Sequence, residues 1–296
     1  MANQFDKNLV IAISSRALFD LEAANKIFET EGLEAYRDYQ LANEDVILDE
    51  GPGFSLVKNL LSLNEAAGKK VVEVIVMSRN SAETSLRIMN SIDHYNLDIK
   101  RMMMSGGEDI SRYLKPFRVD LFLSCNEEDV TSAVNRGYAA GVIYNGYKYN
   151  DIPEGQIRIA FDADAVLFSA ESEEIFQKHG LDAFVQNEIE NQDKALEQGP
   201  MAGFLMGLAK LQNQLQGTDK IRTAIVTARD KDSGRRVIKT LRKWNININE
   251  IFFLSGADKA EVLESFGANI FFDDQEKNAL PAASVVPSAR VPYKKG

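Results

Sequence analysis

Thiol and imidazole are scarce in this chain. One cysteine, Cys125, stands among 296 residues, which excludes any disulfide within the chain. The two histidines, His94 and His179, belong to no Cys/His cluster with zinc spacing. Long apolar runs are missing as well: no window approaches the ~18 residues that a bilayer-spanning helix needs. The start, Met1 to Asn8, is polar, unlike a secretory leader. A cytoplasmic protein with no membrane partner is therefore expected. Positive charge is in deficit, with 34 Lys and Arg against 44 Asp and Glu, a net charge of −10. That balance speaks against nucleic-acid polymers, whose phosphates require a basic surface. It also repels small phosphorylated molecules, so a phosphate site here must be built locally, from a metal and a few cations.

What the chain does have is an ordinary globular composition, 45% hydrophobic and 26% charged, and an internal repeat. LVIAISSRALF from Leu9 aligns with the segment Gln156–Phe168, so that Ile11 meets Ile159 and Ala17 meets Ala165 at an offset of 148. IFETEGLEAY from Ile27 meets IFQKHGLDAF from Ile175 at the same offset. After slips of one or two residues, VIVMSR ending at Arg79 meets AIVTAR ending at Arg229, and Arg87 meets Arg236. Asp120–Asn126 then meets Asn269–Gln275 at an offset of 149. The chain reads as a tandem duplication, with a first copy in 1–148 and a second in 149–296. The polar stretch Asn145–Gln156 has the turn residues of a linker.

Short apolar runs in the second copy, Ile157–Phe161, Thr223–Thr227, Ile251–Leu254 and Ile270–Phe272, alternate with amphipathic helical patterns. That alternation predicts an α/β fold with a parallel sheet covered on both faces. Val237, Ile238, Leu241 and Trp244 share one helical face. A further helix starts near Asp258, a candidate N-cap, and stops at Gly267. The first copy repeats the plan, with Met102–Met104 expected as a core strand.

Ligands of open parallel sheets bind at the carboxyl ends of the strands. In the second copy those ends carry Asp162-Ala163-Asp164, Thr227-Ala228-Arg229, Asp258-Lys259 and Asp273-Asp274. Carboxylates, a hydroxyl and an ammonium at successive strand tips suit phosphoryl transfer. Asp162 is the candidate nucleophile, since a carboxylate that attacks phosphorus divides one hard step into two. Asp164, two residues on, can protonate the leaving oxygen and then activate water. Thr227 and Lys259 can hold the transferring oxygens, with Ala228 and Arg229 as further substrate contacts. Asp162 and the acidic pair Asp273-Asp274 are the candidate ligands of Mg²⁺, which favours oxygen donors.

These motifs resemble those of the haloacid dehalogenase superfamily: DxDx[TV] as Asp162–Val166, a strand-end Thr227, Lys259 at a helix start, and the acidic pair Asp273-Asp274. SSRALFDLE, LLSLN, NSIDHYNLDI, FDADAVLFS, VTAR, FFDDQ and the tail SARVPY are similar to the cytosolic 5′-nucleotidase I family. The resemblance spans nearly the whole chain. It implies a Rossmann-like haloacid dehalogenase-type unit written twice. It also implies Mg²⁺-dependent hydrolysis of nucleoside 5′-monophosphates, with Asp162 as nucleophile, Asp164 as acid/base and the Asp164 carbonyl as a metal ligand.

In the first copy Asp162 is replaced by Ser14, Asp164 by Arg16, Thr227 by Met77, Lys259 by Ile110 and Asp273-Asp274 by Ser124-Cys125. That copy is expected to shield the site as a structural partner. A second reading gives its Arg16 and Arg79 to a nucleotide, as base clamp or effector site. Two other functions stay open from the residues alone: a phosphatase for sugar phosphates or other small metabolites, and a non-catalytic nucleotide-binding regulator. A second copy of the chain is a further candidate partner.

Overall fold

The computed structural model describes residues 8–145, 155–215 and 218–293. Most of the expected linker lies outside the described residues. Ten strands form one sheet: β1 Leu9–Ile13, β2 Val72–Ser78, β3 Arg101–Met104, β4 Leu121–Ser124, β5 Ala140–Ile143, β6 Ile157–Phe161, β7 Ile221–Thr227, β8 Glu250–Phe253, β9 Ile270–Asp273 and β10 Ser288–Arg290. Their order is β3-β2-β1-β4-β5-β10-β9-β6-β7-β8. Each half thus has the same internal order, mirrored about a β5–β10 seam. No helix among the described residues is long and apolar enough to cross a membrane.

All neighbouring strands are parallel except at the seam, where Ala289 lies against Ile143 and Arg290 against Val142 in antiparallel pairing. The strands of the two halves therefore run in opposite directions, and so do the directions in which their tips point. The first half's tips do not face those of the second. The seam strands are three and four residues long and carry no alternating pattern, so periodicity alone did not expose them. The expected core strand Met102–Met104 is instead a half-buried edge strand, since nothing pairs with its outer side.

The central strands are apolar throughout because both sheet faces are covered, as in parallel sheets generally. On one face a single apolar core crosses the seam. There the helix Phe54–Ala67 reaches β6, and the helix Ala202–Gln214 reaches β1. On the other face each half has its own core, around Ile75 and Phe122 in one and Ala224 and Phe271 in the other.

Three buried rings anchor the tips of β6 and β9. Phe161 stacks on Phe272 at 5.5 Å between centroids, and Phe204 packs edge-on against both, at 6.2 and 6.3 Å. Aromatic contacts of this kind each contribute about 0.5–1.5 kcal/mol beyond area burial. The next residues in sequence, Asp162 and Asp273, are thereby held side by side, since Phe161 and Phe272 are register partners.

The loop after β6 is pinned from outside by the segment before the helix Ala202–Gln214. Gly199 N donates to Leu167 O (2.9 Å) and Met201 N to Val166 O (2.9 Å). A side chain at Gly199 would run into the carbonyl oxygens of Phe168 and Val166. Gly199→Ala is expected to destabilise the protein by about 1–3 kcal/mol, the usual range for overpacking. A thermal melt reads this as a drop of several degrees; an unchanged melting temperature would contradict it.

Candidate active site

The two halves wind differently after their first strands. In the first, Ser14 caps a helical turn, its Oγ accepting from Ala17 N (3.3 Å). In the second, Asp162 makes no such cap bond, and the chain passes through Ala165 at φ 58°. A left-handed alanine is uncommon, and such strain gathers at functional sites. The result leaves the Asp162 carboxylate free to turn to other partners.

Those partners come from two further strand ends. Lys259, just before the helix Ala260–Phe266, places its ammonium 2.9 Å from Asp162 Oδ1 and 2.6 Å from Asp273 Oδ2. All three groups are buried. Burial works against the Lys259 charge, yet Asp162 and Asp273 outweigh it and hold the ammonium above the ordinary lysine value. Asp273 is fully engaged: Oδ1 also accepts from Gln275 N (2.8 Å) and Asn278 Nδ2 (3.3 Å).

Carboxylate oxygens of Asp162, Asp273 and Asp274 lie within 4.8 Å of one another. Burial, with the charges of Asp162, Asp273 and Glu173, pushes the Asp274 carboxyl up to about 8. Burial likewise raises Asp162, against the pull of Lys259 and with the repulsion of Asp273 and Asp164. Asp274 Oδ1 is buried and has no hydrogen-bond partner. An orphaned carboxylate oxygen among three crowded carboxylates fits a hard divalent cation such as Mg²⁺.

Asp164 follows a different course. Its side chain is held by Arg229, with Oδ2 accepting from Nε (2.8 Å) and Oδ1 from Nη2 (2.6 Å). Only its backbone carbonyl is left as a candidate metal ligand. Arg229 is 3% exposed, and its Nη1 donates to Glu188 Oε2 (2.5 Å) and Ser233 O (3.0 Å). The guanidinium is thus engaged by the protein rather than presented to a substrate. Ala228 is exposed beside it. Thr227 is buried at the tip of β7, its Oγ1 accepting from Arg229 N (3.2 Å).

Arg16 and Arg79 are not brought to this cluster. Arg16 grips Glu22 with Nε and Nη2 (2.7 and 3.0 Å), and Arg79 grips Asp129 (2.8 Å) and reaches Glu128 (3.5 Å). Among the described residues no hydrogen bond or ion pair joins either to Asp162, Asp164 or Lys259. Sequence reasoning missed Glu188 and matched Arg236 to Arg87 without giving it a role; both are buried. The available signal was Gln40, which stands at the position matching Glu188 at the offset of 148.

Comparison with known proteins gives a consistent result. A family model described as 5′-nucleotidase matches residues 1–296. Cytosolic 5′-nucleotidase 1B of Homo sapiens is 41% identical over 278 residues, covering 90% of this chain and 46% of the relative. The chain thus spans about half the length of that relative. No solved structure matches.

Proposed function

The chain belongs to the 5′-nucleotidase family, and from that premise we propose that it hydrolyses nucleoside 5′-monophosphates to nucleoside and inorganic phosphate. The observation that carries the chemistry is the contact of Lys259, at a helix start, with Asp162, beside Asp273 and Asp274, with Asp162 and the acidic pair following the neighbouring strands β6 and β9. The nucleotide as substrate rests on the family.

In this reading an Asp162 oxygen attacks phosphorus and the bond from phosphorus to O5′ breaks. The leaving alkoxide takes a proton from Asp164, giving the nucleoside and an aspartyl-phosphate. Water then attacks the phosphoryl group, Asp164 accepts its proton, and Asp162 is restored. One N–H of Lys259 and the Thr227 hydroxyl steady the phosphoryl oxygens. Mg²⁺, held by Asp162, Asp274 and the Asp164 carbonyl, would neutralise the repulsion between carboxylate and phosphate. The Arg229 fork leaves each Asp164 oxygen one further lone pair, so the clamped carboxyl still has a free side.

The mirrored strand order supports reading the chain as a duplicated haloacid dehalogenase-like unit. Residues 149–296 would be the catalytic copy and 1–148 a copy in which Ser14, Arg16 and Ser124-Cys125 replace the site's carboxylates. The first copy's contribution is then structural, through the shared core rather than through its tips. Its Arg16 and Arg79 are already neutralised by Glu22 and Asp129, which favours this over a nucleotide clamp.

Phosphate release from AMP, other nucleoside monophosphates and sugar phosphates, each with Mg²⁺, tests the proposal. At least tenfold higher kcat/KM for one or more nucleotides is expected. Equal or better turnover of sugar phosphates would replace the nucleotidase reading with that of a general metabolite phosphatase.

A further inference from the structure

Glu188 has no part in the chemistry just described, yet its side chain is fully buried. It lies on the helical insertion Glu171–Glu190 between β6 and β7. Oε2 accepts from Arg229 Nη1 (2.5 Å); Oε1 accepts from Arg236 Nη1 (3.0 Å), Ser172 Oγ (2.8 Å) and Asn187 Nδ2 (3.2 Å). Arg229 in turn holds both oxygens of Asp164. Arg236, Glu188, Arg229 and Asp164 thus form one line with two charges of each sign. Apolar residues of similar volume can match the stability of such a buried set, so a role in position is the better account of it.

The first half is an internal control. Arg79 and Arg87 stand where Arg229 and Arg236 stand. Arg87 keeps the same anchor, its Nε donating to Val46 O (2.8 Å) as Arg236 Nε donates to Lys194 O (2.9 Å). Where Asp164 has become Arg16, however, Glu188 has become Gln40. Arg79 there turns to Asp129, at the position that Asn278 occupies in the second half. A strand-tip arginine therefore has no direction of its own; the surrounding carboxylates give it one.

We propose that Glu188 is a positioning residue for the phosphoryl-transfer site: held by Arg236 and Ser172, it aims Arg229 so that the Nε–Nη2 edge fixes the carboxyl of Asp164. This deepens the hydrolase reading above and rests on it. It also ties the seating of the insertion to the geometry of the acid/base.

The test uses the full chain, with kcat and KM for a nucleoside monophosphate hydrolysed by the wild type and a thermal melt of each variant. Glu188→Gln is expected to lower kcat by about 10–100-fold, the scale of a small misplacement of a reacting group, with KM within about threefold. Because that variant leaves a buried arginine unmatched, it is paired with Glu188→Gln/Arg236→Gln, which restores charge parity. The pair is expected to recover the melting temperature but not kcat. In an Asp164→Asn background, Glu188→Gln should cause no further loss, since interacting residues fail to add. A folded Glu188 variant with native kcat, or an undiminished loss in the Asp164→Asn background, would overturn the positioning role while the hydrolase reading stands. A wild type that releases phosphate from no nucleoside monophosphate would remove both.

Discussion

Asp162→Asn is expected to abolish phosphate release from nucleoside monophosphates, lowering kcat by about 10³–10⁶-fold, the range seen when a covalent nucleophile is removed. An amide oxygen is a poor nucleophile toward phosphorus. The substitution is nearly isosteric and takes a charge out of a buried site that raises the Asp162 carboxyl by desolvation. Lys259 would lose one partner but keep Asp273 at 2.6 Å. Fold and stability should therefore survive, which makes the loss attributable to chemistry. Phosphate release in single-turnover conditions, with a thermal melt alongside, measures both. A folded variant retaining a tenth or more of wild-type activity would eliminate Asp162 as the nucleophile.

The strand ends that carry the candidate site were legible because each is a short apolar run that gives way to polar or charged residues. The strands Ile157–Phe161 and Ile270–Asp273 stand where apolar continuity placed them, within one residue. Gly267, at φ 68°, ends the helix Ala260–Phe266 as expected, but the N-cap is Lys259 rather than Asp258, whose Oδ1 accepts from Ala260 N (2.7 Å) just ahead of the helix. Two things escaped. The β5–β10 seam rests on a few tail residues whose pairing is set by tertiary packing, and its antiparallel sense turns the first half's tips away from the second's. The direction of Arg229 was the other. Its place at a strand end suggested a substrate contact and its repetition as Arg79 a structural role, but its partner Glu188 lies 41 residues away, a long-range contact that local patterns do not reveal.

With Mg²⁺ at the proposed site, Asp274→Asn is expected to remove most of the stabilisation that the ion would confer. Asp273 already accepts from Lys259, Gln275 and Asn278, whereas Asp274 Oδ1 is buried with no donor. Of the acidic pair, Asp274 is therefore the one with an unused oxygen for a cation. Burial, then the charges of Asp162 and Asp273, raise its carboxyl to about 8. A carboxyl raised on folding makes the metal-free protein lose stability as pH climbs from about 4, the unfolded value, through about 8; the contribution is complete only below that window. A cation that binds the folded chain offsets this, by about 2.7 kcal/mol at a hundredfold excess over Kd, or several degrees in Tm. Melting curves of wild type and Asp274→Asn, with EDTA and with Mg²⁺ at pH 5.5 and 8, separate the two effects. The wild type should gain from Mg²⁺, most at pH 8. The variant should gain little, and without metal it should melt at or above the wild type at pH 8, because its amide escapes the cost of a buried, unpartnered charge. An equal Mg²⁺ shift in both proteins would place the cation elsewhere.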